Sequence, residues 1–163
     1  MRAGHLALLL TAALPACLCG CGFHLQGHAV LPDPVKNAYL EVPDRQSEFV
    51  LDLRRALLSN GAHLAQERNQ ASAVVSIVRD NFTRRVLSVS ATNQPNQYEV
   101  TYTVSFTVTA HDQELLPQQE LTATRTYSFD ERLLLAKGHE EDILRADMAH
   151  DLADMVMRRL SRL

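Results

Sequence analysis

Tyr98-Glu99-Val100-Thr101-Tyr102-Thr103-Val104-Ser105-Phe106-Thr107-Val108-Thr109-Ala110 alternates without a break. Even positions are aromatic, β-branched or, at Ala110, small; odd positions carry hydroxyls and one carboxylate. Successive strand side chains point to opposite faces, so this pattern predicts one long strand with a single apolar face. At ~3.4 Å per residue it would run about 44 Å. One buried face predicts an antiparallel sheet covered by helices on one side.

The neighbouring stretches fit that sheet. Ala91–Gln97 is an uncharged polar turn leading into the strand. Before it, Ala73–Ser90 mixes two parities: Val74, Val78, Phe82 and Val86 share one, while Val75, Ile77, Leu87 and Val89 share the other. A strand with a bulge near Arg79–Arg85 reconciles them. Downstream, Leu121, Ala123, Arg125, Tyr127 and Phe129 alternate with Thr122, Thr124, Thr126 and Ser128, a fourth strand of the same design. Ala38, Leu40 and Val42 predict a first strand that ends at Pro43.

Two helices complete the body. Ser47 is placed as an N-cap, Phe49, Val50, Leu53 and Leu57 form one stripe, and Asn60-Gly61 supplies the stop. The last helix is expected from about Glu140 to Arg162, with Leu144, Met148, Leu152, Met155, Val156 and Leu160 on its apolar side. Glu140, Glu141 and Asp142 at its start and Arg158, Arg159 and Arg162 at its end suit the helix dipole. The order β-α-β-β-β-α predicts an α+β fold: a four-stranded, mostly antiparallel sheet with two helices packed on one face.

The N-terminus has a different character. Arg2 precedes an apolar run from Leu6 to Ala16, the length of a secretory signal and too short for the ~20 residues of a spanning helix. Leu18-Cys19-Gly20-Cys21 then has the form of a bacterial lipobox, with Leu three residues before the cysteine and a small residue just before it. The expected product starts at an acylated Cys21 carrying diacylglycerol and palmitate. An ordinary signal cleaved after Ala16 or Gly20, and a poorer lipobox at Leu14-Pro15-Ala16-Cys17, are the competing readings. The expected division is a signal peptide over 1–20, an acylated tether over 21–36 loosened by Gly22, Gly27, Pro32 and Pro34, and one domain over 37–163.

Composition narrows the function. Charged residues at 21% and hydrophobic ones at 46% describe a globular chain. Losing Arg2 with the signal takes the net charge from −3 to −4, which argues against a nucleic-acid partner, since phosphate-dominated binding needs excess Lys and Arg. No Gly-x-Ser-x-Gly elbow is present and the one mature cysteine is used by lipid, so no enzyme is expected. His139-Glu140-Glu141-Asp142 is not His-Glu-x-x-His, and His24, His28, His63 and His111 are scattered, so neither a metal nor a cofactor is expected. Arg79, Arg84, Arg85, Arg125 and Lys137 are the residues that could meet an anionic ligand. Taken singly, each also reads as a solvated charge.

Cys21-Gly22-Phe23-His24-Leu25-Gln26-Gly27 resembles the mature start of the LptE family of LPS-assembly lipoproteins. Asn60-Gly61-Ala62-His63-Leu64, Tyr98-Glu99-Val100, Phe129-Asp130, Leu135-Ala136-Lys137 and Glu140 resemble that family's later segments in the same order. The resemblance implies an outer-membrane lipoprotein that plugs the LptD β-barrel, helps to assemble it, and binds lipopolysaccharide during delivery to the outer leaflet. Gly22, in place of the Asp that retains lipoproteins in the inner membrane, agrees with that address. The family's LPS-binding lysine maps onto Lys137. Its basic residue in the turn between the second and third strands has no counterpart in Ala91–Gln97, so Arg84 or Arg85 would have to replace it. The alternatives are an accessory lipoprotein of another envelope complex, of ABC-transporter auxiliary type and without LPS contact, and a periplasmic carrier of a small apolar ligand.

Overall fold

The structure, a computed structural model, describes residues 30–111, 113–129 and 134–163; Cys21 and the signal lie outside them. The alternating Tyr98–Ala110 stretch lies in β4, Pro95–Ala110, and its apolar face is buried as the alternation requires: Val100, Tyr102, Val104, Phe106 and Val108 are each 3% exposed or less. It lies between β3 (Ala73–Val89) and β5 (Gln113–Ser128), antiparallel to both. On the far side of β3 come β1 (Asn37–Glu41) and the two-residue β2 (His63–Leu64), giving the order β2-β1-β3-β4-β5.

The fold is α+β, but the sheet has five strands and is mixed, which corrects the expected four-stranded, mostly antiparallel one. β1 runs parallel to both β2 and β3. The reason is the crossover: α2 (Glu48–Ser59) separates β1 from the strands that follow, and a chain returning through a helix lays its next strand parallel to the last. β2 is too short for any periodicity to reveal.

A third helix was also not expected. The short α1, Asp33–Lys36, starts behind Pro32 and buries Val35 completely, with Leu31 beside it in the core. The stretch read as a tether is thus packed from Leu31 onward.

α2 matches its sequence signals at both ends. Ser47 Oγ accepts the Val50 amide at 3.1 Å and donates to Asp80 at 2.5 Å, tying the cap to the sheet. At the other end the Ala62 amide donates to Leu57 O at 3.0 Å and the Gly61 amide to Leu58 O at 3.1 Å, with Gly61 at φ 82. That is a Schellman ending, and the positive φ is why a glycine stands there.

The bulge in β3 falls at the near end of its expected range. The register passes from Ile77↔Phe106 to Arg79↔Ser105, leaving Val78 exposed and unpaired. Before it, Val75 and Ile77 face the helices; after it, Phe82 and Arg84 take that face, opposite Tyr102 and Val100. One extra residue therefore converts one parity into the other.

Two elements start earlier than their patterns suggest. β5 begins at Gln113 although Gln113–Glu120 does not alternate. It is an edge strand, where Pro117 can sit at the shift between Phe106↔Gln119 and Val108↔Leu116 without breaking a central ladder. The last helix, α3, runs from Leu134 to Leu160, so Glu140–Asp142 stand beyond its first turn and do not open it. α2 and the C-terminal half of α3 cover the proximal sheet through Phe49, Leu53, Leu57, Leu152, Val156 and Leu160. At ~1.5 Å per residue α2 is about 18 Å long, against roughly 55 Å for β3. The distal sheet is left to the first half of α3.

Candidate functional site

The distal inner face is built from one row across three strands, Arg84↔Val100↔Arg125, and the next, Val86↔Tyr98↔Tyr127. Arg84 Nη1 donates to Glu141 Oε2 of α3 at 2.7 Å, and the Tyr127 hydroxyl donates to the same oxygen at 2.7 Å. The Arg84 guanidinium lies 4.9 Å from the Tyr98 ring centre. Tyr98 in turn stacks on Tyr127 at 5.7 Å and meets Phe129 edge-on at 5.2 Å. Arg145, one turn beyond Glu141, reaches that carboxylate at 3.9 Å and covers the Phe82 ring at 4.4 Å. Ten residues after Glu141, Asp151 accepts Arg125 Nη2 at 2.7 Å. The row thus clamps α3 at two points.

Electrostatics follow from this geometry. Burial works to raise the Glu141 carboxyl, but the hydrogen bonds from Tyr127 and Arg84, aided by the charges of Arg84 and Arg145, outweigh it and hold the group below its ordinary value. Burial and the bond to Glu141 push the Tyr127 phenol up to about 12. Two guanidiniums share one carboxylate, so Arg84, Arg145 and Glu141 taken together carry one more positive than negative charge.

A depressed carboxyl contributes stability that is present above its unfolded value and lost as pH falls through the folded one. Glu141→Gln should therefore cost about 1 kcal/mol at pH 7, modest because Arg84 stays half exposed and screened. The gap between variant and parent should close as pH falls below the ordinary value of 4.5. Urea unfolding at pH 7 and pH 3 measures both, and a gap that persists at pH 3 would exclude an ionised Glu141 as its source.

The anion-binding candidates do not form one patch. Arg84 and Arg85 are consecutive in a strand and face opposite ways: Arg84 toward α3, Arg85 outward onto Glu99 at 2.6 Å. Arg79 pairs with Glu120 at 3.3 Å. Lys137 lies in the first turn of α3, four residues before Glu141, so the two positions stand one above the other on the helix. Arg84 and Lys137 belong to the same region and Arg85 does not. Among the described residues no group of three His, Cys, Asp or Glu could hold a metal ion.

No helix among the described residues covers the outer face of the sheet. Thr83↔Thr101↔Thr124 and Asn81↔Thr103↔Thr122 run straight across three strands, followed by Arg85↔Glu99↔Thr126. Thr103 and Thr122 hydroxyls meet at 3.3 Å. The result is a hydroxyl-rich surface, as the odd positions of β4 predict.

Sequence reasoning missed Glu141, Arg145, Tyr98 and Tyr127 as one unit. Glu141 had a local explanation as a helix-start acid. Its i, i+4 spacing to Arg145 was the available signal, and only strand register brings Arg84 and Tyr127 to it.

Comparison with known proteins agrees with this architecture. The family described as LptE, lipopolysaccharide-assembly, matches residues 33–160. The chain is 26% identical over 156 residues to the LPS-assembly lipoprotein LptE of Pectobacterium atrosepticum, covering 95% of this chain and 80% of that protein. The Photorhabdus laumondii protein of the same name is also 26% identical, with 95% and 81% covered. Among solved structures, lipoprotein B of Nitrosomonas europaea aligns with a TM-score of 0.72 at 29% identity, over 86% of this chain and 90% of that one. Rare lipoprotein B of Shewanella oneidensis aligns at 0.67 and 26% identity, over 77% and 95%.

Proposed function

The chain belongs to the LptE family of lipopolysaccharide-assembly lipoproteins, and on that premise we propose that it is a non-enzymatic, lipid-anchored plug of an LptD-type β-barrel in the outer membrane. The lipid on Cys21 would hold the domain at the membrane, raising its effective concentration at the barrel. No helix among the described residues is long and apolar enough to cross a membrane. The observation that carries the plug is the outer face, which no helix among the described residues covers. A barrel lumen is polar and wet, and rows of Thr and Asn hydroxyls and amides offer it hydrogen-bonding groups without a broad apolar patch.

Lipopolysaccharide contact is assigned to the start of α3. Lys137, with the positive charge left over from Arg84, Arg145 and Glu141 one turn further on, would meet phosphates or sugar carboxylates. Arg84 would have to leave Glu141 to join directly, and Arg85 faces away, so Lys137 is the residue proposed to lead.

Purification from detergent-solubilised membranes tests the plug: an LptD-type barrel should co-elute. Recovery with an ABC transporter and no barrel would favour the accessory reading instead. Lys137→Asp should weaken lipopolysaccharide binding about tenfold or more at low salt, with the circular dichroism spectrum unchanged. Equal binding by the variant would remove Lys137 from the contact.

A further inference from the structure

We propose that the cleft at the outer edge of β1 is a binding site for a phosphate group, either free or as the headgroup ester of a lipid. This cleft is separate from the start of α3 and does not depend on the barrel reading. It forms where β2 stops: β2 pairs with β1 only at Asn37 and Ala38, leaving Tyr39 and Leu40 with an open edge. The space is about 290 Å³, near the lower end for small-ligand pockets, and Arg45, Arg54, Tyr39 and Gln66 line it.

Arg45 comes from the loop before α2 and Arg54 from its second turn, and the fold brings both to one cleft. Neither has an ion pair or a side-chain hydrogen bond among the described residues. In contrast, Arg68, Arg79, Arg84, Arg85 and Arg125 each hold a carboxylate. Among the described residues no Asp or Glu lines the cleft. Two arginines lining one cleft set like charges near each other, which an anion would relieve, and guanidinium donor pairs match phosphate oxygens. Tyr39 and Gln66, residues with a hydroxyl and an amide, line the same cleft. A larger cleft of about 450 Å³ around Ser72 and His111 lacks this chemistry, because its arginine, Arg68, is bound to Glu41 at 3.0 Å.

The test uses the mature acylated protein in uncharged detergent micelles, with guanidinium NMR signals read during titration at constant ionic strength. Inorganic phosphate, or phosphatidylglycerol added to the micelles, should shift the Arg45 and Arg54 signals saturably while chloride does not. Arg45→Gln and Arg54→Gln should each weaken the response about tenfold or more. Arg55→Gln, whose parent side chain already pairs with Asp52, should not. Saturation by inorganic phosphate shows that the group alone suffices; saturation by phosphatidylglycerol only assigns the site to a lipid headgroup. No saturable shift with either, or equal affinity in both glutamine variants, would overturn the proposal.

Discussion

Phe106→Ala is expected to lower the unfolding free energy by about 3–5 kcal/mol, the largest stability loss anticipated for a single change here. Phe106 is fully buried on β4, opposite Ile77 of β3 and Gln119 of β5, in the same core cluster as Phe49, Leu53 and Leu152 of the two long helices. Because strands flank it on both sides and helices lie over it, the site cannot collapse around the deleted ring. The adjacent Thr107 points the other way, and Thr107→Ala should stay within about 0.5 kcal/mol. Urea unfolding should show a lower midpoint for Phe106→Ala with an unchanged slope. A loss under about 1 kcal/mol would contradict the helix-covered face on which the fold depends.

Cys21→Ser should move the exported protein from the membrane fraction to the soluble one, an all-or-none change in place. A buried chain contributes about 0.8 kcal/mol per methylene, so a single acyl chain binds marginally while two or more hold firmly. Serine cannot form the thioether, and no helix among the described residues is long and apolar enough to cross a membrane. Cys17→Ser and Cys19→Ser should leave both location and mass unchanged if, as proposed, those residues depart with a signal peptide. Fractionation, with the mass of the mature chain, decides it. A Cys21→Ser chain that still carries the lipid mass would place the modification elsewhere.

Local patterns carried much of the fold. The change of parity in Ala73–Ser90 demanded a bulge, and the register shift after Ile77 supplies it. Ser47 and Asn60-Gly61 marked both ends of α2 because caps are short-range hydrogen bonds. What stayed hidden has no local cause. Gln113–Glu120 becomes strand because the edge of β4 is there to pair with, against a proline and a polar composition. Gly138 follows directly on the first turn of α3, so residues 134–139 read as loop, and the helix is instead held from the side by Glu141 on Arg84 and Tyr127.

The candidate site divides in the same way. That Arg84 and Arg85 face apart was implicit in the two-residue period of any strand. Which carboxylate each would meet was not, since Glu141 lies 57 residues from Arg84 and Glu99 lies 14 from Arg85. By itself the sequence determined the family, the α+β class and the apolar face of the long strand, because alternation, caps and a lipobox depend on residues within a few positions. Tertiary structure alone decided the five-strand order, the clamp on α3 and the meeting at one cleft of Arg45 and Arg54, which have no ion pair among the described residues. Those depend on register and crossover, which bring together groups whose separation along the chain carries no signal.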